Sequence, residues 1–181
     1  RQNFVDRYQH KAAGEFRGMK GDIFEGGHRV PFIVSYPGMI ESGTVSAATI
    51  SLTCLMATCK EMLGSRDRKF ETEDSYSILP ILSGDADRVS DQPAVVHISS
   101  KGFMAIRKGP WKLITGLGSG GFSDPKEIIP RPGEATGQLY NLEKDIHEDH
   151  NLYEKYPQKV KELSDLLAKI QASKTKITTG N

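Results

Sequence analysis

The chain has 181 residues, 37% of them hydrophobic and 26% charged, a balance that excludes a disordered polypeptide and allows a real core. Lys and Arg number 24 against 23 Asp and Glu, so the net charge of +1 gives no field of the kind a general nucleic-acid binder needs. No apolar run approaches the roughly 20 residues of a membrane-spanning helix, and the first residue is Arg1 rather than Met, which leads us to expect a mature or excised piece.

Residues 1–28 are rich in Gly, Lys, Arg and His and lack periodicity. They read as a long loop anchored by Phe4, Phe16, Ile23 and Phe24. Val30-Pro31-Phe32-Ile33-Val34 is a short apolar run that reads as a strand buried on both faces, closed by the turn Tyr36-Pro37-Gly38. Apolar positions at 52, 55, 56, 59, 62 and 63 predict a helix over Ser51 to Leu63, capped by Ser51 or Thr53 and stopped by Gly64. Residues 65–74 are charged and loop-like, and Ser77 to Leu82 reads as one or two helical turns.

From residue 94 the pattern changes to strands, at Ala94–Ser99, Phe103–Arg107 and Trp111–Thr115, with hairpin-sized breaks at Lys101-Gly102 and Lys108-Gly109-Pro110. Residues 116–137 hold much of the Gly and Pro and read as a long surface loop before a fourth strand, Gln138–Leu142. Pro157 suits the first turn of a last helix, whose stripe Val160, Leu163, Leu166, Leu167 and Ile170 predicts packing on the sheet. The tail after Ala172 is polar.

Few residues carry an obvious chemistry. Cys54 and Cys59 are not spaced as C-x-x-C and read as two small, half-buried thiols rather than a zinc site or a disulfide framework. His147 and His150 lie three apart without a third ligand and read as part of a solvated turn. Gly116-Leu117-Gly118-Ser119-Gly120-Gly121 lacks the Gly-Lys-Ser/Thr ending of a phosphate-binding loop and reads as a flexible connection. His97, followed by Ser99, Ser100 and Lys101, forms a polar cluster at a strand end. The sharpest segment is Phe16 to Pro31, which sets Arg17, Lys20 and Arg29 among glycines before an apolar run. Lys20 between small residues can reach an anion without steric cover, so the segment reads as an oxyanion-contacting loop at the rim of an α/β sheet.

That segment, continued through Tyr36-Pro37-Gly38, resembles the L-R-G-x-K-G-x-x-x-E-G-G-x-R-x-P stretch and following turn of the formylglycine-dependent sulfatases and arylsulfatases. Three later stretches are similar to that family in the same order. Asp74 to Gly84 resembles its D-x-x-S-L-L-P-L-L-x-G, and Ala105 to Ile114 its A-I-R-x-G-x-W-K-L-I hairpin. Leu139 to Asp145, with Glu148, Asn151 and Leu152, resembles its L-Y-D-L-x-x-D-P-x-E-x-x-N-L.

The resemblance implies an α/β parent fold of the alkaline-phosphatase-like superfamily. This chain would supply the edge of the central sheet, over residues 1–85, and a C-terminal α+β module of about four antiparallel strands and a long helix, over 86–181. It implies hydrolysis of sulfate esters of aryl or carbohydrate substrates, with a formylglycine nucleophile and Ca²⁺. Lys20 falls on the family lysine that contacts the sulfate group, and His97, Ser99 and Lys101 are candidates for contact with the leaving group. The C/S-x-P-x-R nucleophile motif does not occur in these residues, and the family's metal ligands belong to its upstream half. The chain alone is therefore expected to bind no metal and to be inactive. Cys54 stands where relatives commonly carry Asp. Further expectations are a periplasmic or secreted location, no nucleic-acid partner, no membrane span, and self-association through an apolar face around Val30–Val34. Two alternatives stay open: a phosphate or phosphonate ester hydrolase of the same superfamily, and a non-catalytic binding module.

Overall fold

The alternating segments after residue 94 make a single sheet. In the computed structural model, which describes residues 7–65, 74–84 and 93–175, β1 (Val95–Ile98), β2 (Met104–Lys108), β3 (Trp111–Ile114) and β4 (Gln138–Asn141) are neighbours in that order. Phe4, most of the charged stretch at 65–74, the junction expected at 85–86 and the end of the tail lie outside the described residues. The β2–β3 and β3–β4 pairs are antiparallel, with Arg107 opposite Lys112 and Lys112 opposite Tyr140. Gly109, at φ +55, makes the tight turn between β2 and β3, a conformation that a side chain would strain.

The register sorts the strands into two faces, because side chains alternate along each strand. One face carries Ala105 and Arg107, then Lys112 and Ile114, then Gln138 and Tyr140. Ala105, Ile114 and Tyr140 pack with Ile23, Phe24 and Leu142, so the N-terminal loop covers this face. The other face carries Met104, Ile106, Trp111, Leu113 and Leu139. The last helix, α4 (Pro157–Thr175), spans that side. Tyr156 meets the Trp111 ring at 5.3 Å just before the helix, and Gln171 reaches the Met104 sulfur near its end at 3.0 Å. Val160, Leu163 and Leu167 are buried as their spacing predicts.

The described residues divide into two units. One holds the residues up to Val30 together with Val96–Gln171; the other runs from Pro31 to Val95. In the second, α2 (Cys54–Met62) and the single-turn α3 (Leu79–Leu82) occupy the predicted helical stretches. Thr58 joins them: its hydroxyl donates to Cys54 O (2.7 Å) and accepts from Ile78 N (3.0 Å). Thr53 stands at the N-cap position without capping, because its hydroxyl donates to Asp74 O at 3.1 Å and pairs with the Ser51 hydroxyl at 2.9 Å. Cys54 is buried and Cys59 exposed, so the two thiols are not alike.

Two expectations need correction. Val30–Val34 forms no strand and has no strand partner among the described residues, and Ile33 is 93% exposed rather than buried. A strand buried on both faces needs neighbours on both edges and both sides, and the described residues supply none for it. The glycine run at 116–121 is also not an open surface loop, since Gly118 to Gly121 are buried. Its cause is the close approach of Asp22, described next.

Candidate active-site loop

Lys20 lies in a turn followed by two buried carboxylates that are held by different means. The first is Asp22, which is fully buried. Its Oδ1 accepts from Phe122 N (2.6 Å) and Ser123 N (3.1 Å), and its Oδ2 accepts from Met19 N (2.8 Å) and from the Ser123 hydroxyl. These N–H and O–H donors satisfy both oxygens of the buried side chain. Gly121 is required here, because a Cβ at that position would lie 2.3 Å from Asp22 Oδ1 and 2.4 Å from Gly21 O. The glycine run thus lets two loops close on one buried carboxylate.

The second, Glu25, opens the single-turn α1 (Glu25–His28) and enters a buried charge network. Lys112 Nζ, fully buried, lies 3.0 Å from Glu25 Oε1 and 2.8 Å from Glu148 Oε1. Arg107 Nη1 lies 3.0 Å from Glu25 Oε2, and the backbone N–H of Glu25 donates to Glu148 Oε2 at 2.7 Å. Arg17 donates to the Glu148 carbonyl and stacks over Phe24 at 4.0 Å. Burial alone would raise the Glu25 carboxyl, but the charges of Lys112, Arg107 and Arg29 outweigh it and hold it below its ordinary value. At Glu148 burial wins and raises the carboxyl, because Lys112 is its main cation and Glu25 repels it. Glu148 also takes a left-handed backbone conformation, φ +56, which places its carboxylate under the loop.

The predicted site residues gather beside this loop. Lys20 is exposed and has no hydrogen-bond or ion-pair partner among the described residues. Ser100 N donates to Gly21 O at 2.9 Å, so the turn after β1 is fastened to the residue next to Lys20. Lys101 is half-exposed, with Glu127 at 3.9 Å. Ser99 is buried and accepts from Phe103 N at 3.0 Å, which makes it a brace for that turn. The His97 ring points at Ile23 O (3.3 Å) and packs on His28 at 4.1 Å. Burial first, then the Lys112 and His28 charges, lower the His97 pKa to about 3, so this imidazole is neutral at ordinary pH. His147 and His150 approach Glu15 and Asp145 respectively. Among the described residues no cluster of three His, Cys, Asp or Glu could hold a metal ion. The buried carboxylates already face Lys112, Arg107 and backbone N–H groups. These residues do not fit a Ca²⁺ site.

No family model matches the chain. It is 28% identical to an N-acetylgalactosamine-6-O-sulfatase of Bacteroides thetaiotaomicron over 167 residues, 90% of this chain and 31% of that protein. It is 34% identical to the mouse steryl-sulfatase over 94 residues, 52% of this chain and 15% of that protein. A solved sulfatase structure from a Bacteroides thetaiotaomicron locus for metabolism of glycosaminoglycans superposes with a TM-score of 0.78 at 27% identity, covering 94% of this chain and 35% of that one. Over most of its length the chain is similar to sulfatases. It spans about a third of the length of the relatives it matches over most of its own length.

The sequence pointed to the loop around Lys20 but not to the groups that hold that loop. Glu25, Lys112, Arg107 and Glu148 each lie in a recognised motif, yet the motifs alone do not say that their charges meet. One signal was available. Lys112 sits between Trp111 and Leu113-Ile114, and strand alternation places it on the face of Ile114, where a lone cation needs a carboxylate.

Proposed function

We propose that this chain supplies the sulfate-contacting lysine, Lys20, and part of the leaving-group side of the active site of a sulfuric ester hydrolase. The observation that carries the reading is the contrast at one loop: Lys20 is exposed, while Asp22 and Glu25, two and five residues after it, are buried and fixed by hydrogen bonds and ion pairs. A cation so presented stabilises the negative charge that grows on the sulfate oxygens and on the leaving oxygen as the S–O bond breaks. Lys101 stands at the edge of the same surface as a second cation for the organic half of the ester, and His97 and Ser99 act beneath it as supports. The substrate class is sulfated aryl compounds or carbohydrates. In the complete protein a formylglycine and a Ca²⁺ would provide nucleophile and Lewis acid; their holders are not among the residues of this chain. The parent fold is the alkaline-phosphatase-like α/β type, and the location is periplasmic or extracellular.

Lys20→Ala in the complete protein tests this. We expect kcat/KM for an aryl sulfate to fall on the order of a hundredfold or more, with Lys20→Arg retaining part of the activity. Unchanged kinetics in Lys20→Ala would remove the role assigned to it. The isolated chain is expected to give no turnover with an aryl sulfate and Ca²⁺; turnover proportional to its concentration would show that the chain holds a nucleophile of its own.

A further inference from the structure

The structure assigns a ring-binding role to Phe122: its exposed side chain, beside Lys20, is a platform for the organic ring of the sulfate ester. This rests on the reading of Lys20 given above and extends it to the other half of the substrate.

Phe122 is 57% exposed, although it sits in one of the most firmly held stretches of the molecule. Its backbone N–H donates to the buried Asp22 carboxylate at 2.6 Å, and the next residue, Ser123, donates to the same oxygen at 3.1 Å. A single exposed aromatic is ordinary. One whose backbone is fixed by a buried charge loses little freedom when a ligand settles on it, which lowers the cost of binding. The ring also has a defined place. Gly21 has φ +94, and a Cβ there would lie 2.6 Å from Phe122 Cε2, so the absence of a side chain at Gly21 makes the seat in which the ring edge lies.

Gly21 is the residue after Lys20, its carbonyl accepts from Ser100 N, and the Ser100 hydroxyl oxygen lies 3.4 Å from the same Cβ position. Lys101 completes the patch, its N–H donating to Gly120 O at 2.9 Å. Cation, aromatic face, hydroxyl and second cation therefore adjoin one another on two loops that share hydrogen bonds. That set matches a sulfated ring: the sulfate at Lys20, the apolar face of a sugar or aryl ring on Phe122, and ring hydroxyls or a further anionic group toward Ser100 and Lys101. Neither lysine could take the ring face, and an aliphatic side chain would offer it less flat area.

The test compares esters with the inorganic ion in the complete protein. Phe122→Ala is expected to raise KM about tenfold for a sulfated monosaccharide and for para-nitrophenyl sulfate, while the inhibition constant of inorganic sulfate stays within about twofold. Phe122→Tyr, which keeps the flat ring, should restore KM. Lys20→Ala should weaken the sulfate ion and the esters alike. An unchanged KM in Phe122→Ala for both esters overturns the platform, as does an equal loss for esters and inorganic sulfate. If Lys20→Ala leaves sulfate inhibition unaltered, the Lys20 reading falls by itself, and the ester-selective loss in Phe122→Ala still decides the ring.

Discussion

The unit that carries Lys20 and the unit that follows Pro31 treat their side chains in opposite ways. In the first, even charged groups are enclosed: Lys112, Asp22 and Glu148 are each 0% exposed and each faces an opposite charge or an N–H group. In the second, large apolar side chains face outward, with Ile33 93%, Val45 96% and Leu63 82% exposed. The apolar stripe of α2 is part of this, since Leu55 and Met56 are exposed as well. A segment that specifies a helix by spacing does not thereby specify what the helix packs on. The first unit has closed its core around a fixed ionic frame, and the second presents apolar surface of the kind that marks contact with another surface.

The largest test of this contrast is removal of the central cation. Lys112→Ala leaves Glu148 without its main cation and Glu25 with Arg107 and Arg29 only, and breaking a buried pair in this way costs about 3–5 kcal/mol. Urea unfolding should show that loss, while Leu63→Lys in the other unit should change stability by no more than about 0.5 kcal/mol. A Lys112→Ala chain unfolding at the same urea concentration as the parent would show that the network is not the frame we describe. Glu148→Gln sharpens the point. Its carboxyl is raised by burial, so removing its charge should cost less than removing Lys112.

The same contrast explains what could be read from the sequence. The four strands, α2, α3 and the last helix follow from local periodicity and turn residues; β2 and β3 close across a short hairpin, while β4 reaches β3 across the long 116–137 connection. Lys20 was legible through its glycine neighbours and its motif. The network was not, since Glu25 and Lys112 are 87 residues apart and Glu25 and Glu148 are 123 apart, and spacing carries no record of such pairings. Phe122 was hidden for the same reason: the glycine run looked like a flexible linker until Asp22 gave it a partner. Val30–Val34 failed differently. Its composition predicts a buried strand, but pairing and burial depend on neighbours that the described residues do not include.

A middle-sized effect is expected from pH. The His97 pKa is lowered from its ordinary value to about 3, with burial the main cause, so the unfolded chain binds a proton that the folded one refuses. Stability from this group is fully present above about pH 6.5 and is lost as pH falls toward 3, by up to about 1.4 kcal/mol per pH unit. His28 is lowered as well and acts in the same direction. Thermal or urea unfolding measured from about pH 7 down to about pH 5 should fall less steeply for His97→Gln than for the parent chain. Parallel curves would mean that His97 is protonated in the folded protein, and its place beneath the Lys20 loop would need revision.

The smallest effect on folding should accompany the largest effect on association. Ile33 and Val34 lie in a stretch with no strand partner among the described residues, next to the exposed Val30, and bare apolar surface of this kind invites association with a second copy. The chain is therefore expected to self-associate as concentration rises. A lysine at this position adds charge where a second copy would dock without disturbing any buried contact. Ile33→Lys should lower the mass seen by light scattering toward that of the monomer, with stability unchanged within about 0.5 kcal/mol. A parent chain that stays monomeric at high concentration would show that this surface is tolerated bare, and the contrast between the two units would then be one of packing alone.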